Sequence, residues 1–347
     1  MPAVLITGVG NNGVGSQILR SLRLKAPSDL KIVGCDLDTI YADRTGLDTF
    51  FQVPMPSDPS YYDCISHIIR QSGIELVFVT TLPEVAFFLE SHKHLHMPDV
   101  RFILPDENLF HLCMDKCCLF RYLRDRGVSV PRFEKITSLK ECEQIDYYPV
   151  VLKKNCHTGS SDHIFIAFDS EELHYLCAYL LRRNGEVFLQ EYIGNEDNEF
   201  SISVTAEENG KTVGTIAMQR SFSGSLSVKL NYTNQGIRYP ISSGISQGKM
   251  VIDETLDLQA RHISNVLQLR GSLNIQGKLS NGVLYPFDIH PAITGSVYAK
   301  ALAGYNEPLY YINRYLNHLN TELSYSPIVV GRKLCTFLIE EGATIAD

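Results

Sequence analysis

The chain has no GxxxxGK[ST] segment, which excludes a P-loop as its way of gripping phosphate. Its nine cysteines contain no Cys-x-x-Cys pair and no zinc-like spacing. Their odd number, with Cys117 and Cys118 adjacent, reads as reduced cytosolic thiols rather than a disulfide framework. No long basic run occurs, and 39 acidic residues against 31 basic ones give a formal charge of −8, which disfavours binding to a nucleic-acid backbone. The opening MPAVLITG lacks the basic-then-apolar layout of a signal peptide, and the most apolar region, 74–89, is broken by Pro83 and Glu84. The expectation is a soluble cytoplasmic protein with no membrane partner. Nor does the sequence identify a Cys or Ser nucleophile with a His partner, so covalent nucleophilic catalysis is not indicated.

What is present is an α/β opening. At 347 residues the chain accommodates two or three folding units of roughly 100–200 residues. Apolar runs at 3–7, 31–35, 75–80 and 101–104, with helical spacing over 16–24 and 65–71, predict a parallel sheet with helices on its faces. The first run leads into Gly8-Val9-Gly10-Asn11-Asn12-Gly13-Val14-Gly15, and Asp36 ends the second. Two readings stay open there: dinucleotide binding, with Gly8–Gly13 on the pyrophosphate and Asp36 on a ribose, or a close strand-to-helix turn that needs glycine for packing.

A second unit begins near Pro105. Asp115-Lys116 followed by Phe120, Tyr122 and Leu123 has helical spacing, closed by Gly127 and Pro131. The strand YPVVLKK (148–154) delivers lysines at its end, before the small, polar loop 155–162 and another strand at 163–168. Such a strand and loop can wrap polyphosphate with backbone N–H groups and a point charge; the alternative is a solvated strand end. An amphipathic helix over 171–183 precedes the apolar run Val187–Ile193, the polar turn 194–199 and an alternating strand at 200–205. A run of that kind can act as a hinge whose backbone reads a flat base, with a carboxylate just beyond for ribose hydroxyls. Late in the chain, GSLNIQGKLSNGVLYPFDIHPAITGS (271–296) holds two β-type runs, 273–278 and 283–289, around Asn281-Gly282, and predicts a hairpin. Alternation puts Asn274 and Gln276 on one face, and Asp288 and His290 together at the end of the second run. An amide, a carboxylate and an imidazole at neighbouring strand ends suit a metal and phosphate corner; the alternative is a surface hairpin with scattered polar residues.

The order of these parts carries a resemblance. VLITGVG, IVGCDLD, FFQVPMPSDPSYYDCISHII, FVTTLPE, DKCCLFRYLRDRGVSVP, YPVVLKK, VFLQEYIGNEDNEFSISV, LNIQ and FDIHPAITGS follow one another, from roughly Val4 to Pro308, as in the ATP-grasp superfamily. The chain most resembles its carbamoyl-phosphate-synthase-like branch of carboxylate–amine ligases. The resemblance implies an α/β (α+β) chain in which an ATP-grasp fold follows a Rossmann-like parallel-sheet domain. It implies a Rossmann-like domain over 1–110, a lid over 111–192, and a body with the metal site and a helical C-terminal segment over 193–347. By the same resemblance Lys116 and Lys153 are phosphate ligands, and His157, Thr158, Gly159, Ser160 and Ser161 form the lid loop. Gln190, Glu191, Tyr192 and Ile193 form the adenine hinge, and Glu199 binds ribose hydroxyls. Gln276, Asp288 and His290, with Asn274 close by, form the magnesium corner.

The implied activity is ATP-dependent activation of a small carboxylate as an acylphosphate, with release of ADP and coupling to an amine. ATP and Mg²⁺ are the implied cofactors. Three departures bear on it. Asp288 is a methylene shorter than the family's usual Glu, His290 replaces an amide with an imidazole that suits Mn²⁺ or Zn²⁺ better, and Ala292 stands where many relatives carry Arg. Arg220 is the candidate to replace that cation beside Lys153 in catalysis. A diverged, non-catalytic or regulatory nucleotide-binding protein is therefore one alternative, and an NAD-dependent oxidoreductase using the N-terminal glycine loop is another. The segment 219–247, with Arg220, Lys229 and Arg238, is polar and suits a small hydrophilic acid. A homodimer follows by analogy alone.

Overall fold

The structure is a computed structural model and describes residues 2–10, 12–39, 44–156, 163–224 and 226–333. The chain divides into two compact units, one built from residues 2–105 and 292–326, the other from 106–291 and 327–332. Residues 292–326, which the sequence reading attaches to the C-terminal body, thus fold with the first unit. Among the described residues no helix is long and apolar enough to cross a membrane.

The first unit holds β1 (Ala3–Thr7), β2 (Lys31–Asp36), β3 (Thr49–Gln52), β4 (Leu76–Phe78) and β5 (Arg101–Ile103), all parallel, in the order β3-β2-β1-β4-β5. β1 is buried along its whole length, as expected of a parallel strand covered on both faces. The connecting helices are α1 (Val14–Lys25), α2 (Tyr61–Ser72) and α3 (Leu82–Ser91). Pro83 and Glu84, which interrupt the apolar run in sequence, begin α3: the proline fills the first turn and the glutamate closes a capping box with Thr81. Buried Glu84 also accepts from Thr7 Oγ1 at 2.6 Å and Tyr61 Oη at 2.9 Å, which fastens α2 and α3 to the end of β1.

The glycine loop is equally self-satisfied. Asp36 Oδ2 accepts the Gly10 N–H at 2.7 Å, and a Cβ on Gly15 would lie 2.4 Å from the Gly8 carbonyl oxygen. The acid assigned to ribose in the NAD alternative is therefore engaged by the loop, and Gly15 serves close helix–strand packing.

Two further helices, Val297–Leu302 and Glu307–Tyr315, belong to this unit. Asn306 caps the second through the Leu309 N–H and donates to Ser21 O at 2.7 Å, which anchors it to α1. Lys300 and Glu307 are both buried.

The second unit begins with α4 (Glu107–Met114) and α5 (Lys116–Arg124). Strands β6 (Phe133–Ile136), β7 (Val150–Lys153), β8 (Phe165–Ala167) and β9 (Val187–Glu191) form an antiparallel sheet in the order β6-β9-β7-β8. Helices α6 (Leu139–Cys142) and α7 (Ser170–Asn184) cover it, with Leu152, Leu173, Leu180 and Leu189 in the shared core. α7 is bounded by an Asp169 N-cap and by Gly185 at φ 75°.

The larger sheet contains β10 (Glu199–Ala206), β11 (Thr212–Arg220), β14 (Gly248–Val251), β15 (Gly271–Ser280), β16 (Val283–His290) and β17 (Val329–Val330), in the order β16-β15-β10-β11-β14-β17. Between β11 and β14, β12 (Val228–Asn234) and β13 (Ile237–Ser242) form a separate hairpin where the sequence reading has a polar loop. Tyr239 of this hairpin packs edge-on against Phe168 and Tyr192, at 5.0 and 5.2 Å between ring centroids.

Strand alternation gives the larger sheet two unlike faces. Ile202, Val204, Leu273, Ile275 and Ala217 pack with Leu256, Ala260 and Ile263 of α8 (Glu254–Val266). The alternate positions Glu199, Ser201, Ser203, Asn274, Gln276 and Lys278 form a polar face, continued by Arg220. The β15–β16 hairpin turns at Asn281 and Gly282, at φ 51° and 77°, as the Asn-Gly pair predicts.

Its register pairs Asn274 with His290 and Gln276 with Asp288, then slips so that Gly277 faces Pro286. Phe287 is the extra residue of this bulge. Without it, Asp288 would share a face with core residue Leu284; with it, Asp288 and His290 join Gln276 and Asn274. Position 277 admits only glycine, because a Cβ there would lie 2.8 Å from Leu284 Cδ1 and 2.9 Å from Tyr285 O.

Burial lowers the Lys300 pKa to about 7, with Glu307 acting in the opposite sense. A lysine whose folded pKa is depressed binds fewer protons folded than unfolded above that value, so its burial costs less as pH rises. Comparison with Lys300→Met by thermal unfolding between about pH 6 and about pH 9 tests this: the wild-type chain should gain stability on the variant as pH rises. Parallel curves would overturn it.

Candidate functional site

The site is assembled at the strand ends of the second unit. Asp115 caps α5 by accepting the Cys118 N–H at 2.7 Å, and Lys116 is the first residue of that helix. Asn155, two residues past β7 and buried, ties the two segments together. It accepts the Lys116 N–H on its main-chain carbonyl at 3.0 Å and the Cys117 N–H on Oδ1 at 2.9 Å, while its Nδ2 donates to Asp115 and Glu186 at 3.0 and 2.9 Å.

With the backbone so fixed, Lys116 Nζ donates to Asp288 Oδ1 at 2.6 Å. Lys153, the last residue of β7, donates to the Phe287 carbonyl at 2.7 Å and to Gln190 Oε1 at 3.0 Å. The carbonyl Lys153 holds thus belongs to the bulge residue. Burial, and then the neighbouring Lys116, bring the Lys153 pKa down to about 7 against the attraction of Asp288. Two lysines from separate segments therefore lie near one carboxylate of the late hairpin, Lys116 bonded to it and Lys153 within its electrostatic reach.

A second cluster lies farther along the same polar face. Glu199, almost fully buried, accepts from Arg220 Nη1 at 3.3 Å, and Lys278 Nζ lies 3.9 Å from its other oxygen. Arg220 Nη2 donates to Ser243 O and Ile245 O at 3.0 and 3.2 Å. Lys278 donates to Tyr192 Oη at 2.7 Å and to Asn195 O at 3.0 Å, and burial lowers its pKa to about 8. Burial raises the pKa of Tyr192, so its hydroxyl stays protonated and accepts from the lysine through a lone pair.

The remaining sequence candidates fall around these clusters. Ser201 Oγ donates to Asn274 Oδ1 at 3.1 Å beside Gln276. Gln190 Oε1 is fixed by Lys153, which orients its Nε2, and that buried N–H₂ has no hydrogen-bond partner among the described residues. The Glu191 side chain turns to Arg132, whose Nε and Nη2 donate to its two oxygens at 3.2 Å. The N–H groups of Glu191 and Tyr192 bond Arg132 O and Pro149 O, so base recognition at this segment would use other groups, including those of Ile193. His157, Thr158, Gly159, Ser160 and Ser161 lie outside the described residues.

Asn155 and Lys278 have no role assigned from the sequence. Lys278 carried a readable signal: it alternates with Asn274 and Gln276 on one strand, where a lysine is out of place unless that face is polar. Asn155 carried none, since its clamp joins segments distant in sequence.

The donors fit a protein-held divalent ion poorly. Among the described residues no three His, Cys, Asp or Glu side chains come together as a metal site. Among the described residues Asp288 is the carboxylate that the hairpin register sets beside Gln276 and His290, and it already carries an ammonium at 2.6 Å.

No protein-family model matches the chain. A D-alanine–D-alanine ligase of Thermotoga petrophila is 27% identical over 185 residues, which is 53% of this chain and 58% of that protein, so less than two thirds of the relative's length is spanned. An L-amino acid ligase of Bacillus licheniformis superposes with a TM-score of 0.63 at 14% identity, over 91% of this chain and 74% of that one. The biotin carboxylase domain of the 2-oxoglutarate carboxylase of Hydrogenobacter thermophilus, in complex with MgADP, ADP and bicarbonate, superposes with a TM-score of 0.61 at 15% identity, over 93% and 71%. The chain has the α/β fold of these neighbours, an ATP-grasp fold preceded in sequence by a Rossmann-like parallel-sheet domain.

The Glu199–Arg220 pair should be a structural anchor. Breaking a buried pair by removing one charge costs about 3–5 kcal/mol, because the partner is stranded. Glu199→Gln should therefore lower stability in chemical denaturation by about 3 kcal/mol or more, and Lys278→Met, whose ammonium also binds neutral oxygens, by less. Equal losses would show that Arg220 does not depend on Glu199.

Proposed function

We propose that the second unit binds ATP and that the protein is an ATP-dependent ligase, activating a small carboxylate as an acylphosphate and coupling it to an amine. The observation that supports this is the convergence of Lys116 and Lys153 beside Asp288, next to a buried Gln190 donor that has no hydrogen-bond partner among the described residues. The ligase relative and the nucleotide-bound structural neighbour add support.

In this reading Lys116 and Lys153 hold the phosphates, residues 190–193 take the base, and Glu199 with its two cations borders the ribose. A carboxylate oxygen attacks the γ-phosphorus, the P–O bond to ADP breaks, and the amine then displaces phosphate as it loses a proton. Catalysis rests on placing the reactants and stabilising phosphoryl charge, with Lys153 nearest that charge. Mg²⁺ or Mn²⁺ is the family's usual cation, but this donor set does not form a cage for it, and no step is routed through one. Arg220 reaches the phosphoryl group only by leaving Glu199, so its part in catalysis is the weaker element.

A second reading, nucleotide binding without turnover, is favoured by one observation: Asp288 and Glu199 are each neutralised within the protein. The NAD alternative is less favoured, since Asp36 is engaged by Gly10.

The test is ATP binding by calorimetry, joined to a screen for ADP release over amino acids, hydroxy acids and amines. ATP should bind, one acid–amine pair should release ADP, and Lys153→Ala should weaken ATP binding by about tenfold or more, as loss of a charged hydrogen bond implies. Binding of NAD but not ATP would overturn the proposal. ATP binding with no ADP release from any pair would select the second reading.

A further inference from the structure

We infer that this site holds nucleotide phosphates with its own ammonium groups and needs no divalent cation to bind them; the inference rests on the nucleotide-binding part of the reading above.

The charge inventory of the polar face carries the argument. Among the described residues two carboxylates, Asp288 and Glu199, face four basic groups, Lys116, Lys153, Lys278 and Arg220, and a third, Glu196 near Lys278, is paired with Arg238 at 3.4 Å. Each carboxylate has a cation of its own, at 2.6 Å for Asp288 and 3.3 Å for Glu199. Among the described residues the other two lysines make their hydrogen bonds to neutral oxygens, Lys153 to those of Phe287 and Gln190 and Lys278 to those of Tyr192 and Asn195, with Lys278 3.9 Å from Glu199. Burial lowers the pKa of Lys153 to about 7 and of Lys278 to about 8, so keeping both charged at these buried positions is costly unless an anion completes them.

The unpartnered donors point the same way. Gln190 Nε2 and Arg220 Nε are buried without a hydrogen-bond partner among the described residues, and both require an acceptor. A nucleotide di- or triphosphate supplies negative charge and acceptor oxygens together.

A divalent cation supplies the opposite. It would enter a face already in positive excess and would have to share Asp288 with an ammonium 2.6 Å away. Asp288 thus offsets the charge of Lys116, where a longer carboxylate in a site with fewer cations would hold a metal ion.

The experiment is calorimetric titration of the full chain with ADP, in excess chelator and again in excess Mg²⁺. The two dissociation constants should agree within about threefold. Lys116→Met should weaken binding in chelator by about tenfold. Asp288→Asn, which removes no cation, should bind ADP in chelator at least as tightly as the wild-type chain; it keeps the test decisive if Lys116→Met unfolds. Loss of more than about tenfold on chelation, restored by Mg²⁺, would overturn the inference and leave the nucleotide reading standing. Weakened chelator binding by Asp288→Asn would overturn it too. Absence of ADP binding under both conditions would overturn the nucleotide reading, and the inference with it.

Discussion

The one-residue bulge at Phe287 is the constraint on which the second unit's polar face depends. A regular strand would place Asp288 on the side of Leu284, inside the core packed on α8. The extra residue switches that parity, so the same strand gives Leu284 to the core and Asp288 to the site. It also presents a carbonyl that Lys153 grasps at 2.7 Å, which joins the smaller sheet to the larger at the point where the lysines meet. Burying an ammonium costs free energy unless its hydrogen-bonding capacity is met, and the bulge supplies part of it.

The two faces of the larger sheet reinforce this arrangement. Its register is held by the apolar side, where Ile202, Leu273 and Ile275 pack against α8. A slip of one residue would expose that whole set and bury the polar one, so the packing that stabilises the unit also fixes the positions of Glu199, Gln276 and Lys278. Stability and site geometry come from one pattern of alternation.

Much of this was legible in the residues. Asn281-Gly282 announced the hairpin, the apolar runs announced the parallel sheet, and a lysine at the end of Tyr148–Lys154 announced a charged strand end. What was hidden depends on contacts across long separations. The Lys116–Asp288 pair joins residues 172 apart in sequence, and nothing local to either encodes it. Asn155 read as one polar loop residue among several, because its clamp exists only once α5 and β7 are side by side. Arg220 read as an available cation, whereas its strand register sets it beside buried Glu199. Pro83 and Glu84 looked like breaks in an apolar run because proline and a carboxylate have that effect in mid-helix, and the opposite effect in a first turn. The hairpin of β12 and β13 escaped notice because its turn is Gln235-Gly236, a weaker signal than Asn-Gly, and its strands are half exposed.

Gly277 bears on how such a protein can change over generations. Having no side chain, it takes part in no chemistry, yet it is what lets the backbone cross closely enough for the parity switch. Substitutions at 288 or 290 alter which groups meet a ligand and leave the ribbon's path intact. Substitution at 277 would disturb the path itself and misplace every one of those groups at once. Change in reactivity is therefore open to the hairpin's side chains, while position 277 is closed to it by the backbone packed against it.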